Sequence, residues 1–253
     1  MSESMQLVDR VFSVLEALCE AKNPIGPTAL SEQLGLSKSV VFRLLNALAA
    51  RGYAEKTEDG TYRLGCRLPE LMGTHLNSLE LITEARPYLS SINESLNLTA
   101  HLGVLDRSEV IYVEKLDTVP TGYLSQQIGF RVPAYCSSLG KCLMAGLSGD
   151  ELSEALENCK FSSYTSKTIS SRQDLIKHLR QVRMQGWGMD NCEYAEDKRC
   201  IAAPIYDYKG NVIAAISASG TVLRLTDEMI PKTIITVKQA AECISKRLGY
   251  FGN

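Results

Sequence analysis

The first 64 residues carry the strongest constraint on the fold, an ordered succession of helical and turn patterns. Apolar residues recur at helical spacing from Gln6 to Glu20, and Asn23-Pro24 with Gly26-Pro27 end that helix. A short helix then runs from about Thr28 to Leu34 and meets a tight turn at Gly35. This part of the chain is therefore predicted to hold two helices followed by a sharp change of direction.

A longer helix and a hairpin complete the succession. Ser37 is expected to cap this third helix, because its hydroxyl can accept a hydrogen bond from the free amides of the first turn. The helix is expected to run to about Arg51 and to end at Gly52, which can adopt the left-handed conformation. Two strand-like runs, 53–56 and 61–64, then flank an Asp-Gly pair that signals a hairpin. Helix, helix, turn, helix and hairpin is the order of a winged helix-turn-helix.

The third helix is predicted to have one apolar and one polar face. The apolar stripe consists of Val41, Leu44, Leu45 and Leu48. The outward row, at positions i, i+3, i+4 and i+7, consists of Ser39, Phe42, Arg43 and Asn46. Arg43 can form bidentate hydrogen bonds with guanine, Asn46 can do so with adenine, and Phe42 can touch a thymine methyl group. An ordinary solvated helix face with one stray aromatic residue is the alternative for this helix taken alone.

Charge is informative only when it is counted locally. The chain has 27 Lys and Arg residues against 29 Asp and Glu residues, which argues against a protein that coats polyanions over its whole surface. The segment from Gln33 to Ala54, however, has three basic residues and no acidic one. Together with the hairpin, the elements expected to face a DNA duplex carry five cations, Lys38, Arg43, Arg51, Lys56 and Arg63. The predicted binding residues for double-stranded DNA are these five cations together with Ser37, Ser39, Phe42 and Asn46. Within this set, Lys38, Ser39 and the first amides of the helix are suited to a phosphate.

Beyond residue 66 the pattern changes twice. Residues 68–79 carry a helical apolar stripe opened by Pro69, which suits a linker helix packed on a partner subunit or on its own chain. Strands are then expected at 99–105, 109–116, 189–193, 201–208 and 212–219, helices at 81–96 (interrupted near Pro87), 138–147, 149–157, 171–185 and 226–248, and a loop at 122–133. The predicted fold class is α+β, with a winged helix-turn-helix in 1–66, a linker helix in 67–80 and an α/β domain in 81–253.

The same sequence argues against several classes of protein. No segment approaches the roughly 20 consecutive apolar residues of a membrane helix, and the amino terminus lacks the apolar region of a signal peptide. We therefore expect a cytoplasmic protein that does not enter membranes. The eight cysteines are scattered, with no C-x-x-C pair and no Cys/His cluster at finger spacing, so neither a metal nor a cofactor is expected.

Several motifs, in a fixed order, resemble the IclR (isocitrate lyase regulator) family of bacterial transcription factors. They include LSEQLGLSKSVVFRLLNALAARGY, GTYRLG, HLGVLD, IGFRVPAYCSSLGKCLMA and GWGMDNCEYAEDKRCIAAPIYDYKGNVIAAISASG. The resemblance covers essentially the whole chain and is closest to the KdgR-like branch, which senses sugar acids such as 2-keto-3-deoxygluconate. It implies a non-enzymatic repressor that reads a palindromic operator as a homodimer or dimer of dimers. The chain departs from the family pattern at AEDKRC, where members usually carry Gly before Leu-Arg-Cys.

The resemblance also implies a GAF-like effector domain that binds a small organic acid or sugar acid. In AYCSSLGKC an extended segment enters a helix, so the amides of Ser138, Leu139 and Gly140 are expected to form an anion site. Asp190 is suited to accept a hydrogen bond from a ligand hydroxyl, and two serines spaced two apart project from one face of a strand. By resemblance, the effector-binding positions are Ser138, Leu139, Asp190, Cys200, Ser217 and Ser219, with Leu124, Ile128 and Val132 as an apolar wall.

Structural interpretations and two other functions remain open at this point. The serines could bond only to backbone, Cys200 could be a core residue, His101 is more simply a satisfied half-buried side chain, and Lys198 a solvated charge. An enzyme would use Cys200 or Cys136 as nucleophile, although His75, His101 and His178 are all distant from the cysteines in sequence. A zinc-dependent sensor would use Cys200, Asp190 and a histidine.

Overall fold

The computed structural model describes residues 3–71, 80–118 and 128–252. The chain divides into two units, Met1–Ser78 and Leu79–Asn253. Residues 67–71 are helical, as expected for the start of the predicted linker helix. The rest of that helix, residues 72–79, lies outside the described residues, so the limits of 67–80 stay a prediction.

The first unit has the predicted order of elements. Its helices and strands are α1 (Glu3–Glu20), α2 (Pro27–Leu34), α3 (Lys38–Ala50), β1 (Ala54–Lys56) and β2 (Tyr62–Leu64). Gly35 ends α2 at a φ of 63°, in the left-handed region where glycine carries no steric penalty. The core gathers one side of each element, with Val14, Leu30, Val41, Leu45 and Tyr62 fully buried. The predicted winged helix-turn-helix is confirmed.

The wing is held to the segment before α2 by a contact that the sequence did not predict. Ile25 and Tyr62 form an antiparallel bridge in which each backbone amide donates to the other's carbonyl at 2.9 Å. Because Tyr62 is fully buried, this bridge ties the second strand of the hairpin into the core of the unit. The position of the wing relative to α3 is therefore fixed from both sides.

The second unit is built on one antiparallel sheet with the order β5-β4-β3-β8-β7-β6. Its strands are β3 (Thr99–Asp106), β4 (Glu109–Leu116), β5 (Arg131–Pro133), β6 (Gly188–Asn191), β7 (Lys198–Tyr206) and β8 (Val212–Thr221). Its helices are α4 (Glu80–Leu96), α5 (Ser138–Gly146), α6 (Gly149–Glu157), α7 (Arg172–Gln185) and α8 (Met229–Arg247). Helix α5 packs on one face of the sheet, and α4 and α8 pack on the other. The α+β fold class is confirmed.

Two local predictions for this unit are wrong. Pro87 lies inside α4 and does not interrupt it. Buried residues at helical spacing, Ile82, Ala85, Leu89 and Ile92, bind this helix to the sheet, and their burial outweighs the roughly 3 kcal/mol that an interior proline costs. The predicted loop at 122–133 ends in β5, which pairs with β4.

None of the described helices is both long enough and apolar enough to cross a bilayer.

Candidate DNA-reading face and effector cavity

The two faces of α3 lie as the sequence predicted. The residues of the apolar stripe, Val41, Leu44, Leu45 and Leu48, are all buried. Those of the outward row, Ser39, Phe42, Arg43 and Asn46, are all exposed. Phe42 is 45% exposed, which is costly for a large apolar side chain with no partner and suits contact with a thymine methyl group.

Asn46 is oriented by the wing. The Tyr62 hydroxyl donates a hydrogen bond to Asn46 Oδ1 at 3.1 Å. Since a carbonyl oxygen accepts two hydrogen bonds, Oδ1 keeps one lone pair and the amide nitrogen keeps both of its hydrogens. These are the donor and the acceptor that bidentate recognition of adenine requires, so the contact aligns the amide without consuming it.

Arg63 does not carry the free charge that was predicted for it. It lies opposite Glu55 in the hairpin register, and its guanidinium donates two hydrogen bonds to that carboxylate, at 2.9 and 3.0 Å. The ion pair neutralises the arginine locally. Within the described part of the chain, four of the five predicted cations remain free of ion pairs: Lys38, Arg43, Arg51 and Lys56.

Ser37 occupies the predicted position before α3, but the expected capping hydrogen bond is absent. Its hydroxyl lies 3.2 Å from the Ser39 hydroxyl instead. The first amides bonded to the Ser37 carbonyl are those of Val40 and Val41. The amides of Lys38 and Ser39 thus precede the first helical bonds, where an anion such as a phosphate is stabilised.

In the second unit, the strand register brings polar side chains into rows on the face covered by α5. Asp190 pairs with Cys200, and Cys200 pairs with Ser219. In the next row, Ser217 pairs with His101. Because side chains in register project to the same side of a sheet, these rows form a polar surface across β6, β7, β8 and β3.

A small cavity of about 20 Å³ lies between these rows and the first turn of α5. Its described lining includes six predicted effector-binding residues, Ser138, Leu139, Asp190, Cys200, Ser217 and Val132. This volume holds about one water molecule, so an organic acid can enter only if the walls move apart. The structure therefore brings together residues from four strands and one helix, in a closed conformation.

Of the other four predicted effector residues, three do not line the cavity and the fourth is outside the described residues. The Gly140 amide donates to the Ser137 hydroxyl at 3.2 Å and is not free for an anion. A Cβ at Gly140 would lie 2.3 Å from Ala134, so this glycine is needed for the close approach of α5 to the preceding turn. Ser219 is buried and accepts a hydrogen bond from the Cys200 thiol at 3.2 Å, behind the lining. Ile128 is exposed and Leu124 lies outside the described residues.

Asp190 is the acidic group of the cavity and is only 3% exposed. Its Oδ1 accepts hydrogen bonds from the backbone amides of Glu193 (2.7 Å) and Tyr194 (3.4 Å). Burial, reinforced by the Glu193 carboxylate, outweighs these bonds and raises the pKa of Asp190 to about 6. The second carboxylate oxygen remains available as an acceptor for a ligand hydroxyl.

A buried ion pair joins the two sides of the cavity. Lys141 on α5 is fully buried, and its ammonium group donates to the Glu193 carboxylate and to the Met189 carbonyl, the latter at 2.8 Å. Because Glu193 also holds Asp190 through its amide, the pair positions the Asp190 carboxylate relative to the first turn of α5.

The thiols of this region do not have the character of a nucleophile. Burial raises the pKa of both Cys136 and Cys200 to about 12, whereas a catalytic cysteine needs a lowered pKa. His101 lies in the same cavity as Cys200, a proximity that their separation in sequence did not suggest. The part of the chain that the structure describes contains no group of three or more His, Cys, Asp or Glu side chains arranged to hold a metal ion.

Several cavity residues were missed or misinterpreted at the sequence level, namely His101, Tyr112, Ser137, Tyr194 and Lys198. His101 was expected to be satisfied, yet its Nε2 is buried and has no hydrogen-bond partner among the described residues. Lys198 was expected to be solvated, yet it belongs to the lining. The departure from the family pattern at AEDKRC could have indicated this role of Lys198, since the lysine stands where the family pattern has an apolar leucine.

A larger depression of about 710 Å³ lies at the β3–β4 turn and is a weaker candidate. It is lined mainly by polar and charged surface side chains. Its Arg131 is already paired with Asp106 at 2.5 Å and with Glu109 at 3.2 Å. The charge of Arg131 is therefore largely neutralised within the chain.

Comparison with known protein families gives two matches. Residues 7–58 match the IclR helix-turn-helix domain, and residues 73–246 match the bacterial transcriptional regulator IclR C-terminal domain. The chain is 36% identical over 249 residues to the HTH-type transcriptional regulator KdgR of Escherichia coli, covering 98% of this chain and 94% of KdgR. This similarity supports the KdgR-like branch predicted from the sequence.

Solved structures give the same assignment. The crystal structure of Thermotoga maritima IclR superposes with a TM-score of 0.85 at 26% identity, over 97% of this chain and 100% of that one. An IclR homologue from Microbacterium hydrocarbonoxydans, crystallised with 4-hydroxybenzoate, has a TM-score of 0.83 at 25% identity, over 96% and 98% of the two chains. The chain therefore belongs to the IclR family of bacterial transcriptional regulators.

Proposed function

We propose that this chain is a cytoplasmic repressor that reads a palindromic operator as a homodimer or dimer of dimers. A small organic acid or sugar acid in the cavity beneath α5 modulates its affinity for DNA. The observation that carries the proposal is the outward row of α3, whose exposed base-reading side chains include Arg43, a cation with no acidic partner among the described residues. Two-fold symmetry follows from this mode of binding, since paired recognition helices read half-sites of opposite orientation.

The effector acts by shifting a conformational equilibrium. The acid must bind the DNA-competent and DNA-incompetent states with different affinities, and the shift cannot exceed that difference. The closed cavity is consistent with such a mechanism, because entry of an acid requires movement of α5 or of the β6–β7 turn. Both of these elements are attached to the Lys141–Glu193 pair.

The most direct test is a gel-shift titration with the promoter DNA that flanks the chain's own gene. We expect retarded complexes at low salt, and a shift of the midpoint when pyruvate, glyoxylate or a sugar acid is added. Asp190→Ala is expected to bind the same DNA as the wild type but to lose the effector response. Absence of DNA binding at low salt would contradict the repressor assignment. An unchanged effector titration in the variant would remove Asp190 from the site.

Replacing Arg43 by alanine and replacing Lys38 by alanine are expected to weaken DNA binding in different ways. Arg43→Ala should cost about 1–3 kcal/mol on the preferred operator and relax discrimination against altered bases, because a bidentate contact to a base edge is lost. Lys38→Ala should weaken binding to all sequences equally and reduce the salt dependence by about one counterion. Fluorescence anisotropy on operator and scrambled duplexes at several salt concentrations distinguishes them. Identical effects would show that the helix face is wrongly assigned.

A further inference from the structure

Tyr62 joins the wing to the outward row of α3 by a side-chain hydrogen bond. Its ring is fully buried in the core of the first unit, whereas Asn46, whose Oδ1 accepts the bond at 3.1 Å, is exposed. A buried tyrosine is out of reach of a DNA base. It can influence the reading of bases only through the asparagine amide.

The hydroxyl of Tyr62 has a fixed position. The hairpin register places Tyr62 opposite Lys56, and its backbone is also bridged to Ile25. The Lys56 ammonium group lies 6.0 Å from the centre of the ring. Because both the backbone and the ring are held, the hydroxyl can orient the group to which it is bonded.

The Asn46 amide has two orientations, which a half-turn of its terminal torsion angle exchanges. A tyrosine hydroxyl can donate or accept. It donates better than it accepts, because its oxygen shares a lone pair with the ring. The orientation in which Oδ1 faces Tyr62 is therefore the stable one. Within the described residues Nδ2 makes no hydrogen bond, so both of its hydrogens remain available to a base.

This orientation decides which purine the side chain accepts. In the major groove adenine presents N7 as an acceptor and its N6 amino group as a donor, which match Nδ2 and Oδ1. Guanine presents two acceptors, N7 and O6, so a fixed Oδ1 would oppose O6. An amide that is free to turn could instead donate a hydrogen bond to O6. Holding the amide thus converts a side chain that tolerates both purines into one that selects adenine.

We propose that Tyr62 is a positioning residue that makes Asn46 select adenine against guanine in the operator. The proposal rests on the proposed DNA-reading function and deepens it by naming the base and the residue that controls its choice. The wing thereby contributes to sequence specificity through a residue that touches no base.

Tyr62→Phe tests the proposal on the full chain, because it removes the hydroxyl and keeps the buried ring and the Ile25 bridge. Selection of wild type and Asn46→Ala on a randomised duplex library first locates the operator position at which the asparagine prefers adenine. Fluorescence anisotropy then compares the operator with a duplex in which guanine opposite 5-methylcytosine replaces that A·T pair, so that the methyl group in the major groove is kept.

We expect wild type to prefer adenine roughly 5- to 100-fold, and Tyr62→Phe to prefer it about threefold or less. The affinity of the variant for a scrambled duplex, and the salt dependence of that affinity, should equal those of wild type, because no phosphate contact is lost.

Two further variants separate positioning from structural effects. If Tyr62 acts through Asn46, Tyr62→Phe should not change the purine preference further in the Asn46→Ala background. Tyr53→Phe is the matched control, because Tyr53 packs against the same core but its hydroxyl accepts a hydrogen bond from the Arg67 guanidinium. This control should keep the wild-type preference for adenine.

Four results would overturn the proposal and leave DNA binding itself in place. They are an unchanged preference for adenine in Tyr62→Phe, an equal loss of affinity for operator and scrambled duplexes, a further change of preference in the Asn46→Ala background, and an Asn46→Ala variant that keeps every base preference of wild type. If wild type binds no DNA at low salt, the DNA-reading function fails together with the proposal.

Discussion

Glu193→Leu is expected to lower the free energy of unfolding of the second unit by about 3–5 kcal/mol, because it leaves the Lys141 ammonium buried without its counter-charge. Lys141 is fully buried, and in the variant its ammonium group would keep, among the described residues, only the hydrogen bond to the Met189 carbonyl. The measurement is urea unfolding at pH 7, followed by fluorescence of Trp187. As the only tryptophan in the chain, Trp187 reports on the second unit alone.

Two further variants make this result interpretable. Lys141→Met should cost less, because the Glu193 side chain that remains is 9% exposed, whereas the Lys141 side chain is fully buried. The double variant Lys141→Met/Glu193→Leu should recover most of the lost stability, since a buried ion pair replaced by apolar residues of similar volume is often close to neutral. Strict additivity of the two single changes would show that the pair is not energetically coupled.

Asp190→Asn is expected to become more stable relative to wild type as pH rises. Burial raises the pKa of Asp190 to about 6 from 3.8, so between these values the folded chain holds the proton more tightly than the unfolded chain. The wild-type free energy of unfolding therefore falls as pH rises from about 4 to about 6, and the loss is complete above that range. Asparagine does not ionise, yet its Oδ1 can still accept the Glu193 and Tyr194 amides.

The expected size of this effect is about 1–3 kcal/mol, measured as the change between pH 4 and pH 8 in the stability difference between variant and wild type. Taking the difference cancels every group that titrates in both proteins and the intrinsic cost of the substitution. Asp174→Asn is a suitable control, because Asp174 is exposed and its pKa is lowered by the Ser171 hydroxyl. A pH-independent difference for Asp190→Asn would mean that this carboxyl is not desolvated in solution.

Features set by local periodicity could be predicted from the sequence. The buried and exposed faces of α3 follow from a helical period, which needs no knowledge of distant residues. Whether the charge of Arg63 is free or paired depends on the hairpin register and not on a helical period. Glu55 and Arg63 stand at equal distances from Asp59 in the turn, so counting outward from that residue would have indicated their pairing.

Features set by long-range pairing could not be predicted. His101 enters the cavity because β3 pairs with β8, two strands that are far apart in the chain. The HLGVLD motif itself does not show whether its histidine has a hydrogen-bond partner in the folded chain. The Ser37 prediction failed for a local reason, since a second hydroxyl two residues later competes with the backbone amides. The predicted interruption at Pro87 was wrong because burial of the apolar face of α4 outweighed the local tendency of proline to break a helix.

The alternating rows of the sheet also matter for rebuilding this protein as a biosensor. His101 and Ser217 lie opposite each other in register, so substitutions at these two positions have to be chosen as a pair, whereas Cys200 belongs to the neighbouring row. Insertions are a different matter, because one extra residue in β8 ahead of Ser217 would turn both of its serines to the opposite face. The length of the strands is therefore the part of the design to hold constant, and length variation belongs in the turn at residues 207–211.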